Sequence, residues 1–173
     1  MTAPRLEIDL NKIYHNARRL VERLAERGVS LTGVTTATLG LPETAHVMLR
    51  AAVSHPGDSR IDNIETMRRT GISAPMVRIR SPMLSQTKQV VVHADTRFNT
   101  RIDVIRRLSC AALDAKFTHG IVLMVEPGDL REGILSVETM RFVHRIPGCP
   151  NIVIRGIDPG SHRSSTTALW SAP

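Results

Sequence analysis

Arg131 stands in the stretch Gly128-Asp129-Leu130-Arg131-Glu132-Gly133, directly after the most apolar strand candidate, Ile121 to Val125. A guanidinium in such a loop can grip an anionic oxygen through charge-assisted, often bidentate hydrogen bonds. It can equally close on Asp129 or Glu132, and the residues alone leave both readings open. Arg60, in Asp58-Ser59-Arg60, follows another strand candidate. An ion pair with Asp62 at the start of the next helix is the favoured reading there, ahead of a ligand contact. The seven histidines fall on unrelated elements without ligand spacing, so no metal site is expected. Lysine, the usual amine nucleophile, occurs three times: Lys12 and Lys88 in helical patterns, Lys116 just ahead of a strand. Cys110 in a helical pattern and Cys149 in a Gly-Cys-Pro loop make neither a disulfide framework nor a metal site.

These residues need elements to position them. Asp9 can cap a helix to about Arg27, with Leu10, Ile13, Ala17, Leu20, Val21 and Leu24 on one face and Gly28 as its stop. Leu31 to Thr35 reads as a strand. Pro42 suits the first turn of a second helix, and Val53 to Gly57 reads as a short strand. A helix through Ile61, Ile64 and Met67 ends at Gly71. Pro75 to Ile79 (strand), Ser85 to Val92 (helix) and Ala94 to Phe98 (strand) follow. The clearest helix is Thr100 to about Ala115. After the strand Ile121 to Val125 come a helix, Val137 to Arg145, and a last strand, Asn151 to Ile157.

Apolar strands alternating with amphipathic helices imply an α/β fold, a parallel sheet covered by helices. No glycine-rich nucleotide motif is present. A (β/α) barrel is the remaining common architecture, but it needs eight strands and usually about 250 residues. With about six strands read here, the expectation is a partial TIM-type barrel over residues 1–157. Residues 158–173 are polar, without helical or strand period, and read as an irregular or disordered tail.

The formal net charge is +7, and arginine supplies 20 of the 23 basic residues. These arginines are scattered over several helices, so solvated faces are expected and no nucleic-acid partner. No stretch suggests a signal peptide or a membrane span, and a cytoplasmic location is expected.

Four segments, in order, resemble the alanine racemase N-terminal domain family. They are Pro4 to Ala17, Thr32-Gly33-Val34-Thr35, Gly57 to Asn63, and Leu123 to Ile134. The ornithine racemase branch of these amino-acid racemases is the most similar. The resemblance implies a barrel of the type called PLP fold type III, the cofactor pyridoxal 5'-phosphate (PLP), and an amino-acid substrate. It places Thr36 where the family has the lysine that forms a Schiff base with PLP. It also implies that Arg131 lies against the cofactor's phenolate oxygen and that Arg60 stands near the cofactor. Leu39 and Leu41 stand where the branch tends to have a cysteine and an aspartate, and Pro127 interrupts the loop before Arg131.

A threonine cannot form the imine. The expected reading is therefore a truncated, catalytically inactive member, a pseudoenzyme, in which PLP binding is doubtful; a frameshift near Ile157 would account for the tail. The alternative is a non-catalytic module that binds PLP or a protein. An open barrel would expose strand edges, which favours a homo-oligomer.

Overall fold

The computed structural model describes residues 7–126 and 132–159. Six helices and seven strands alternate along the described chain. The helices are α1 (Leu10–Ala25), α2 (Pro42–Arg50), α3 (Ile61–Arg69), α4 (Thr87–His93), α5 (Ile102–Ala115) and α6 (Thr139–Val143). The strands are β1 (Thr32–Val34), β2 (His55–Asp58), β3 (Val77–Arg78), β4 (Thr96–Asn99), β5 (His119–Glu126), β6 (Ile134–Leu135) and β7 (Ile152–Asp158).

All pairings are parallel. The main sheet runs β1-β2-β3-β4-β5-β7, and the short β6 pairs with the far end of β5. Strand order thus follows chain order without reversal. Right-handed crossovers then place every helix on one side of the sheet, as in a barrel and unlike a doubly wound fold. β1 and β7 each pair on one side only among the described residues, so the barrel is partial.

Alternation along β5 separates the two faces. Ile121 and Leu123 pack with Ile105 of α5 and Ile134 on the helix side. Val122 packs with Val77 and Phe98 on the other side, with Ile79 and Met124 beside them. The largest apolar cluster lies between the sheet and α3, α4 and α5, around Ile64, Met67, Met76, Val90 and Leu108. The first helix is an addition to this layer. Asp9 caps it by accepting from the Asn11 and Lys12 N–H groups at 3.0 and 3.1 Å. Its Ala17 meets Ala51 and Val53, and Gly28, at φ +66°, follows its end.

The expected elements are present with shifted limits. The strand read as Ala94 to Phe98 runs Thr96–Asn99, and Pro75 to Ile79 shortens to Val77–Arg78. The helices read from Ser85 and from Val137 each begin as a 3₁₀ turn, Leu84–Gln86 and Ser136–Glu138. The sequence reading missed β6, two residues in a stretch taken for loop. The last strand continues one residue past Ile157, through Asp158. The tail from residue 160 on, and the start of the opening segment (residues 1–6), lie outside the described residues.

Leu108 is fully buried at the centre of the helix-side core. Leu108→Ala is expected to cost about 2–5 kcal/mol of unfolding free energy, measured by urea denaturation.

Candidate functional site

The C-terminal ends of β1 and β2 meet in two adjacent polar groups that face opposite ways. Thr35 turns toward the helices. Its hydroxyl donates to Asp58 Oδ2 at 2.7 Å and lies 3.9 Å from the Met67 sulfur of α3. Asp58 is fully buried. Its Oδ1 accepts from the Arg60 N–H at 2.9 Å and from Asn63 Nδ2 at 3.1 Å. One carboxylate therefore ties the ends of two strands to the first turn of α3.

Thr36 faces the other way. It opens a 3₁₀ turn, Thr36–Thr38, just past β1. Its Oγ1 accepts from the Ser59 N–H at 3.2 Å and lies 3.3 Å from Ser59 Oγ. The turn exits through Leu39 at φ +54° and Gly40 at φ +71°. A Cβ on Gly40 would stand 2.4 Å from Asn63 Cβ, so only glycine lets the turn close onto α3. Further along the same strand ends, Ser81 Oγ and Thr100 Oγ1 lie 3.3 Å apart, and Thr100 donates to Glu132 Oε1 at 3.3 Å.

The expected site residues separate on this frame. Thr36 and Ser59 are brought together. Arg60 is exposed beside them. Among the described residues no ion pair joins Arg60 to Asp62, so the pairing read from the sequence is replaced by the backbone bond from Arg60 to Asp58. Arg131 lies outside the described residues, while its neighbour Glu132 engages Thr100. Sequence reasoning missed Asp58 as the organiser, because its partners are spread from Thr35 to Asn63.

An imine-held cofactor needs an amine at this end of the strands. Lys12 pairs with Asp9 at 3.6 Å on α1, Lys88 is exposed on α4, and Lys116 caps α5 ahead of the opposite end of β5. The Thr36 hydroxyl is already engaged by Ser59. The residues present do not fit a covalently held PLP.

A cavity of about 1020 Å³ opens at the other end of the strands, lined by residues including His55, Met76, Thr96, His119 and Arg155. His119 there is buried, and burial together with the nearby Arg97 charge pushes its pKa down to about 3.

Residues 8–162 match the alanine racemase N-terminal domain. The chain belongs to this family of PLP-dependent enzymes. It is 35% identical over 162 residues to a lysine racemase from Thermotoga maritima, covering 94% of this chain and 46% of that protein. It is 30% identical over 156 residues to an ornithine racemase from Acetoanaerobium sticklandii, covering 89% and 43%. The chain thus spans about half the length of the curated relatives it matches. An alanine racemase structure from Clostridium difficile 630 superimposes with a TM-score of 0.74 at 15% identity, covering 86% of this chain and 39% of that one, which shows the shared fold.

Two outcomes test the polar frame. Thr35→Val leaves Asp58 Oδ2 without its hydroxyl donor and is expected to cost about 1–3 kcal/mol in urea denaturation. For His119, the folded pKa lies below the ordinary value of 6.5. The unfolded chain therefore binds the extra proton, and the stability that depends on neutral His119 is present above about pH 6.5. It is lost progressively as pH falls toward about 3. His119→Gln is expected to flatten this part of the stability profile, measured as unfolding free energy at successive pH values.

Proposed function

We propose that this chain is an amino-acid racemase barrel segment that does not carry out the family's covalent PLP chemistry. The observation that supports this is Thr36. It occupies the C-terminal end of β1, where the family resemblance calls for the Schiff-base lysine, and its hydroxyl is held by Ser59. A threonine hydroxyl cannot form the imine and is far too weak a base near neutral pH. No other lysine among the described residues stands at this end. The resemblance to proteins named lysine racemase and ornithine racemase supports a basic amino acid as the substrate class of the scaffold's active relatives.

The test compares the purified chain with its Thr36→Lys variant, each incubated with PLP and then with borohydride. The wild type is expected to retain no reducible bond to PLP and to racemise lysine, ornithine and alanine no faster than free PLP. Thr36→Lys is expected to gain the borohydride-fixed adduct, located by peptide mass at position 36. Racemisation by the wild-type chain above the free-cofactor rate, or a wild-type adduct on Lys12, Lys88 or Lys116, would sink the proposal.

A further inference from the structure

On the helix side of the sheet, cross-strand neighbours Arg78 of β3 and Arg97 of β4 are both buried. Arg97 is completely inaccessible, and its three guanidinium nitrogens have no acceptor. Arg78 uses one nitrogen, Nη2, to donate to Gln86 Oε1 at 3.0 Å, and leaves Nε and Nη1 unsatisfied. Asn99, two residues beyond Arg97 on the same face, is also fully buried. Its Oδ1 accepts from the Arg101 N–H, and its Nδ2 has no partner. Six buried N–H-bearing atoms on three side chains thus lack acceptors within one stretch of two adjacent strands.

The nearby carboxylates do not balance this charge. Asp58, the neighbour of Arg78 on β2, is occupied by Thr35, Arg60 and Asn63. Asp62 acts on Arg78 only from a distance, and Asp103 is held by Arg101. His119 is kept neutral by burial and adds no counter-charge. Arginine does not relieve such a situation by losing its proton, and an uncompensated buried charge is strongly destabilising.

We propose that Arg97, Arg78 and Asn99 form an internal site for a small inorganic anion, on the helix side of the sheet and on the opposite face from Thr36. The site suits a small monovalent ion, because its donors lie on one buried face of two paired strands, beside the apolar helix-side core that leaves no room for a large ligand. Chloride is the natural probe. The anion would supply the acceptors the strands lack and would stabilise the folded chain by mass action.

The experiment uses thermal melts of the full chain at constant ionic strength, with gluconate replaced stepwise by chloride. The wild-type midpoint is expected to rise with chloride, by about 5 °C or more once chloride exceeds its dissociation constant about 100-fold. Arg97→Met, which fills the space without a charge, is expected to melt at the same temperature in both salts. A wild-type midpoint indifferent to chloride, or an equal rise in Arg97→Met, overturns the site. Chlorine NMR on the wild type needs no variant. Excess line broadening that bromide competes away supports the proposal, and no excess broadening overturns it.

Discussion

A parallel sheet can exist here only if both of its faces leave water, because βαβ connections cover one side and the strands carry apolar side chains on both. The helices shield one face through Ile64, Met67, Val90 and Leu108. On the opposite face, Val77, Phe98 and Val122 bury one another, with Ile79 and Met124 packed beside them. Every polar group placed on a strand must then be satisfied within the protein or at a strand end. That constraint explains why hydroxyls gather at the C-terminal ends. It also makes the two kinds of buried charge so different: Asp58 has three donors, whereas Arg97 has no acceptor.

The contrast between Thr35 and Thr36 carries the functional argument. Adjacent residues leave one strand toward opposite layers. Thr35 does structural work by holding Asp58, and Thr36, on the opposite face, is the residue on which the proposed loss of imine chemistry rests. A change at position 36 can therefore remove catalysis while the frame under it stays intact. The Asp58 network depends on none of the atoms that a lysine at 36 would supply.

The fold was legible where periodicity is local. The α5 pattern, Ile105, Leu108 and Ala112, and the run Ile121 to Leu123 both describe faces that the structure buries. β6 was not legible, because two residues, Ile134 and Leu135, are too few to show a period. In β4, the residue types alone do not show that Arg97 and Asn99 are buried under the helices. Thr36 was singled out by the family resemblance alone. The Asp58 network was not, since Thr35, Asp58 and Asn63 come together only when β1 and β2 pair. The Arg60–Asp62 ion pair weighed from the sequence is absent among the described residues, and the Arg60 backbone N–H bonds to Asp58 instead.

The open edges of the sheet set a gradient along it. Central strands such as β4 and β5 are flanked on both sides, while among the described residues the three residues of β1 have a neighbour on one side only. Local opening requires fewer ladder bonds to break at such an edge. Amide hydrogens should therefore exchange with solvent soonest at β1 and slowest at β4 and β5. The Thr36 turn hangs from one of the edge strands of the described sheet. A lysine placed there would stand on an edge strand, where a further strand pairing with β1 would hold it more firmly.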